Sequence, residues 1–345
     1  MAIAAAAFAA GSVAAGAVLW LFATAVPGPD TATRDDGTAA AGVPAPQRRP
    51  AQLAQIAPAA GAESGTAVPY VEGVPLPELR RLDAQRQRQA APSLAVTPPP
   101  PKGGQVPPWR RYAAVAPAAD GKPMIAIVLD DVGLSQFRSD RVIALPRPVT
   151  LAVLPYGVNL QGLVARARAA GHEILVHMPM EPTDASVDPG PSALLTGLDA
   201  AELERRLRHN LDGLSGYVGT NNHMGSRLTA SVPAMEVVMR VLHERGLLFL
   251  DSLTTGRSVA GRTAARHGVP ALSRDIFIDA ERDPAFILEQ LDRAARLARQ
   301  NGYAIAIGHP YPETLRALEA WLPLLADQGL RQVSISAIVA ARVAG

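Results

Sequence analysis

From residue 123 to the C-terminus the sequence alternates between short apolar runs and amphipathic segments, and this alternation constrains the fold more than any other feature. The apolar runs read as strands over Met124–Leu129, Thr150–Leu154, Glu173–Met178, Tyr217–Asn221, Leu247–Asp251, Ala271–Ile278, Tyr303–Ile307 and Gln332–Ser336. Between them the period becomes helical. In Asp199–Leu214, leucines 203, 207, 211 and 214 fall on one stripe, and Asp199 with Glu202 forms a capping pair. Asp283-Pro284 opens another helix that Asn301-Gly302 closes; Val232–Arg245 stops at Gly246 and Pro312–Gln328 at Gly329. Strand, helix, strand repeated through this region predicts an α/β protein with a parallel sheet, and the count suits a barrel of seven or eight units better than a doubly wound sheet.

Most of the apolar runs end in residues that a core does not want. Asp130 and Asp131 follow the first, His177 lies in the third, Asn221, Asn222 and His223 end the fourth, Asp251 closes the fifth and His309 follows the seventh. In a parallel barrel the carboxyl ends of all strands open on one face, so these residues are expected to meet at one rim. Asp131, His177 and His223 have the composition of a cation site, one carboxylate and two imidazoles with positions left for water and substrate, and zinc is the first choice. Adjacent side chains on an extended segment point to opposite sides, so the Asp130-Asp131 pair suits a strand's mouth and not its middle.

Around these, Glu181 lies four residues beyond His177, but Pro179 and Pro182 argue against a helix. It is expected in the pocket, reaching the metal from a loop or accepting the second N–H of an imidazole. The small, polar stretch from Asn221 to Ser226 suits a loop contacting a polar ligand, whereas His172 belongs at the opposite rim. His309, between a strand and a proline-capped helix start, is placed to donate a proton when charged. His209, His243 and His267 lie within or after helical segments and read as surface residues.

The first third differs. Met1 to Val26 carries no charge and is long enough to span a bilayer, which predicts an N-terminal anchor or, given Ala23-Thr24-Ala25, a cleaved signal. Residues 27–122 are rich in Ala, Pro, Gly, Gln and Arg, include the run Pro98–Pro101, and read as a disordered linker in which Leu76–Gln89 forms at most a transient helix. The folded domain is expected over 123–345. Of the chain's 33 basic and 31 acidic residues, 22 and 23 fall there, so nothing favours nucleic acid as a partner. Lys102 and Lys122 are the only lysines, and there is no cysteine. Schiff-base, phosphate-loop, thiolate and Cys-ligated zinc chemistry are therefore absent from the domain. No Gly-x-Ser-x-Gly elbow or Gly-rich phosphate loop appears either, so serine-elbow hydrolysis and a nucleotide partner have little support.

IVLDD at 127–131, GHEILVHMPMEP at 171–182, GTNNHMGSRLT at 219–229, LFLDS at 248–252 and AIAIGHPYPET at 304–314, in that order, resemble the divergent branch of the polysaccharide deacetylase superfamily found in bacterial envelopes. The resemblance covers 123–345. It implies a distorted (β/α) barrel that binds a divalent metal and hydrolyses N-acetyl groups on an amino-sugar polysaccharide. The N-terminal run, read as an anchor, puts the chain in the bacterial inner membrane with the domain in the periplasm or outside; read as a cleaved signal, it makes the domain secreted. Carried over by position, Asp130 is the general base, Asp131 and His177 are metal ligands, and His309 is the general acid. The main family has a second histidine where this chain has Glu181, so either His223 supplies that imidazole or the site is altered and the domain is a catalytically silent glycan- or partner-binding module. An ester-cleaving metal hydrolase is a weaker alternative.

Overall fold

The computed structural model describes residues 106–116 and 120–344. The expected apolar helix over 1–26, the stretch Leu76–Gln89 and the linker as far as residue 105 lie outside the described residues. Among the described residues, no helix is long and apolar enough to cross a membrane.

A one-turn helix, α1 (Pro108–Arg111), precedes a regular succession: β1 (Met124–Val132), α2 (Gln136–Ile143), β2 (Thr150–Val153), α3 (Leu160–Ala169), β3 (Glu173–Met180), α4 (Ala200–Asp212), β4 (Gly219–Met224), α5 (Val232–Arg245), β5 (Leu248–Asp251), α6 (Ala260–His267), β6 (Ala271–Ser273), β7 (Ile276–Phe277), α7 (Pro284–Asn301), β8 (Tyr303–Gly308), α8 (Pro312–Trp321), β9 (Arg331–Gln332) and α9 (Ile335–Ala344). Every ladder is parallel, in the order β6-β5-β4-β3-β2-β1-β8-β7, with β9 beside the start of β1. The outermost strands β6 and β7 are separated by Arg274 and Asp275 alone. The Arg274 N–H donates to the Asp251 carbonyl beside β6, and the Asp275 N–H donates to the Ile305 carbonyl on β8. The sheet therefore curls until both edges rest on one stretch of chain. For that reason the single strand expected over Ala271–Ile278 is two.

Alternation along the strands sorts the core into two layers. Ile125, Ile127 and Leu129 of β1, with Ile174, Val176 and Met178 of β3, face outward to the helices. Ala126 and Val128 of β1, Leu175 of β3, Leu248 and Leu250 of β5, and Ile305 and Ile307 of β8 face inward. Ile335, Ile338 and Val339 of α9 join this inner layer. The strand expected over Gln332–Ser336 thus survives only as β9, because an apolar segment that fills the concave side of the sheet gains more burial as a helix than as another strand.

The folded structure also reaches further toward the N-terminus than the expected boundary at residue 123. Trp109 of α1 is buried in the inner layer, at 2% exposure. The Trp109 N–H donates to the Gly246 carbonyl at the start of β5, the Ala114 N–H donates to the Glu173 carboxylate, and the Arg168 guanidinium donates to the Tyr112 carbonyl. Glu173 opens β3, is fully buried and also accepts from the Ser336 N–H and hydroxyl of α9. Burial pushes its carboxyl up. The amino ends of the strands are in this way closed by α1 and α9, and the carboxyl ends stay open for chemistry.

Candidate active site

The inward positions of each strand, continued to its carboxyl end, define the site. Two residues beyond Val128 comes Asp130, beyond Leu175 comes His177, beyond Leu250 comes Ser252, beyond Ile307 comes His309, and beyond the inward Phe277 comes Asp279. Asn221 and His223 hold the matching positions on β4, where register places Asn221 beside His177. Asp131 has the wrong parity for this set. It is admitted because its backbone takes φ 57°, in the left-handed region, where the β1–β2 register also shifts. Adjacent aspartates therefore approach the same imidazole: His177 Nε2 lies 3.7 Å from Asp130 and 3.3 Å from Asp131. The opposite-facing pair expected of an extended strand does not occur here.

Three ligand atoms converge at the pocket's floor. Asp131 Oδ1 is 3.0 Å from His223 Nδ1 and 3.3 Å from His177 Nε2, and the two nitrogens are 3.2 Å apart. Oδ1 is buried, yet accepts no well-directed hydrogen bond despite these neighbours. A buried carboxylate oxygen without a directed donor is costly unless a cation satisfies it. A tetrahedral N/O zinc site with bonds of about 2.0–2.1 Å has ligand–ligand edges of about 3.3 Å, so the triangle matches one face of such a site. The residues present therefore fit a divalent cation.

The surroundings fix the ligand orientations. Asn221 Nδ2 donates to Asp130 Oδ1 at 2.7 Å and to the Ser252 hydroxyl at 3.2 Å, which turns its carbonyl oxygen to His177 Nδ1 at 2.9 Å. That oxygen can only accept, so the His177 proton sits on Nδ1 and the Nε2 lone pair faces the triangle. Burial opposes charge on Asp131, but His223 and His177 outweigh it and hold the carboxyl well below the usual range. Burial pushes Asp130 up. On His177 burial works against protonation, but Asp130 and Asp131 together raise its proton affinity, a field that favours positive charge at the triangle's centre.

His309 faces this group from β8. Its Nδ1–H donates to Asp279 Oδ1 at 3.0 Å and its backbone N–H to Asp279 Oδ2 at 2.6 Å, while the Thr314 hydroxyl donates to the same oxygen at 2.8 Å. Gly308 permits this, since a Cβ there would lie 3.1 Å from Asp279 Oδ2. Burial lowers the imidazole's proton affinity, but the Asp279 carboxylate more than compensates and raises its pKa to about 9. Nε2 is left to serve the pocket. Tyr156 and Tyr311 stand nearby as neutral phenols, each pushed up to about 12 by burial, with the Asp131 charge contributing.

Asp130, Asp131, His177, Asn221, His223 and His309 are thus gathered together, while three expected site residues lie elsewhere. Glu181 neither reaches the triangle nor accepts from an imidazole. Thr196 donates to its carboxylate from backbone and hydroxyl, and Arg227 pairs with it at 3.5 Å. Asn222 has outward parity, and it accepts from the Ser252 N–H and donates to the Met224 carbonyl. Asp251 shares that parity and accepts from the Leu253 N–H and the Ser258 hydroxyl, closing its own loop. Asp279 was not anticipated from the sequence, although it follows an apolar run just as Asp130 does. His172 lies at the opposite end, where it accepts from the Val149 N–H and donates to the Ile143 carbonyl. His209 and His243 are exposed, and His267 is half-buried.

The geometry defines a parallel α/β fold with a buried Asp-His-His centre, faced by an aspartate and an aspartate-held histidine. The model of the divergent polysaccharide deacetylase family matches residues 127–339, and the chain belongs to that family. It is 39% identical over 208 residues to the uncharacterized protein YibQ of Escherichia coli K12, a match covering 60% of this chain and 64% of that relative's length. It is also 39% identical over 199 residues to an uncharacterized protein of Haemophilus influenzae, covering 57% of this chain and 70% of the relative. The crystal structure of the uncharacterized protein ATU2773 from Agrobacterium tumefaciens superposes with a TM-score of 0.67 at 35% identity, over 70% of this chain and 99% of that one.

Proposed function

We propose that this chain is a metal-dependent hydrolase that removes N-acetyl groups from an amino-sugar polysaccharide of the bacterial envelope, using the curled sheet as a distorted (β/α) barrel. The observation that carries the reading is the convergence of Asp131, His177 and His223 at 3.0–3.3 Å beside Asp130 and opposite His309. Family membership supports a glycan as substrate.

Asp131 Oδ1, His177 Nε2 and His223 Nδ1 would hold the ion, with zinc the first choice for this donor set. When bound, a divalent ion supplies Lewis acidity to the acetamide carbonyl and to water. Asn221 occupies Asp130 Oδ1 and leaves Oδ2 to take the proton of the attacking water. Asp279 occupies His309 Nδ1 and leaves Nε2 to protonate the amine as the C–N bond breaks. Water's oxygen ends in acetate, and the sugar amine leaves carrying the histidine's proton.

The test is acetate release from N-acetylated oligosaccharides by the full chain, together with its metal content. Replacing Asp130→Asn should lower the rate about a hundredfold to ten-thousandfold. Intact turnover in that variant would remove Asp130 as the base. Glycan binding unchanged in Asp130→Asn, with no turnover in either form, would favour the silent binding module instead.

The charge-free run 1–26 supports an inner-membrane anchor with the domain in the periplasm, and the Pro/Ala-rich segment after it supports a linker. Membrane fractionation with protease protection tests this placement: a domain shielded from protease in intact spheroplasts would refute it.

A further inference from the structure

Arg282 is exposed at the turn between β7 and α7, and its guanidinium carbon lies 3.8 Å from the centre of the Tyr311 ring. The Tyr311 ring in turn lies 5.3 Å from that of His309. The guanidinium therefore stands at the surface two short steps from the imidazole that faces the candidate centre. Tyr311 is itself buried, so Arg282 forms the solvent surface over it.

The contact with the aromatic face holds the guanidinium in place, and its exposed N–H groups suit a planar anion. Among the described residues no carboxylate pairs with it. The adjacent Asp283 accepts the Phe286 N–H as the cap of α7. Two arginines at the same end differ: Arg227 pairs with Glu181, and Arg274 is buried and donates to the Ser252 and Leu253 carbonyls. A guanidinium held on Tyr311, whose phenol it also stabilises as a hydrogen-bond donor, and paired with no carboxylate is suited to reading substrate charge.

We infer that Arg282 is a specificity residue that binds an anionic substituent, a carboxylate or a phosphate, on the glycan unit next to the acetylated amine. This rests on the deacetylase reading for the placement of the amine, but the binding step does not require turnover. Arg282 donates two N–H groups to the anion from its seat on Tyr311, which sets that unit in place while its neighbour occupies the pocket. A neutral oligosaccharide forgoes this contact and is bound more weakly.

The experiment measures binding by calorimetry with the full chain, using three N-acetylated oligosaccharides of equal length: neutral, carboxylated and phosphorylated. Arg282→Gln should weaken binding of one anionic ligand tenfold or more and leave the neutral ligand within twofold. Arg282→Lys should recover part of the loss, as a point charge without the planar fork. The anionic ligand that responds identifies the substituent. Equal losses for all three ligands, or no loss for either anionic one, would overturn the inference, and melting curves identify a variant that fails to fold. Acetate release is measured in parallel. Charge-selective binding without release would discard the hydrolase reading and keep Arg282's role, whereas release without charge selectivity would do the reverse.

Discussion

Asp279 governs the pH at which His309 gives up its proton. Raised to about 9 by Asp279 against the effect of burial, the imidazole remains charged through neutral pH, as a proton donor must be. The alkaline limb of kcat/KM for acetate release is therefore expected as pH rises through about 9. Asp279→Asn removes the largest lifting charge and keeps the burial, so the limb should move to lower pH; a limb that stays put would detach Asp279 from the chemistry. The same proton ties His309 to the fold. Its stabilising contribution is complete below about 6.5 and is lost as pH rises toward about 9. His223 and Glu181 offer a second contrast, because one touches the triangle and the other is held by Thr196 and Arg227. Metal content measured by elemental analysis should fall to background in His223→Ala and persist in Glu181→Gln. Asn221→Ala, which frees His177 to rotate, should cost about ten- to a hundredfold in metal affinity. The reverse pattern would return the third ligand to position 181.

Among the elements, β1 shows why an otherwise regular strand breaks its own alternation. A β1 extended to its last residue would send one aspartate into the outer layer among Leu129 and Val132, where an unpaired carboxylate is unaffordable. The left-handed residue at 131 turns both inward at the cost of local strain, which the surrounding ladders to β2 and β8 sustain. At the other end of the strands α1 contributes far more than its four residues suggest. Trp109 fills the inner layer beside α9, and removing a fully buried tryptophan typically costs about 3–5 kcal/mol. Urea unfolding of Trp109→Ala should show a loss of that order with metal content unchanged in the folded state. A loss under about 1 kcal/mol would make α1 a peripheral attachment.

Across the whole molecule, the sequence announced the parallel α/β plan and the gathering of polar residues at strand ends, because both follow from periods that side chains cannot hide. The C-terminal limit of a helix such as Val232–Arg245 was readable from the glycine that follows it. Parity at the strand ends decides the remainder: Asn222 and Asp251 face outward, and Asp279 faces inward. Other features were invisible for a physical reason. The exchange of one strand between two edges at Arg274-Asp275 depends on how far the sheet curls, and the first residues of α9 read as the end of a strand over Gln332–Ser336 because a helix inside a concave sheet is apolar on most of its surface. The burial of Trp109 was masked by the prolines around it.

The closure at the amino ends of the strands has a directional consequence. Trp109 and Ala114 bind beside Gly246 and Glu173, at the end of the strands away from Asp131 and His309. What fastens the fold and what gathers the reacting groups therefore stand at opposite ends of one sheet, so a change at either end can be read without disturbing the other.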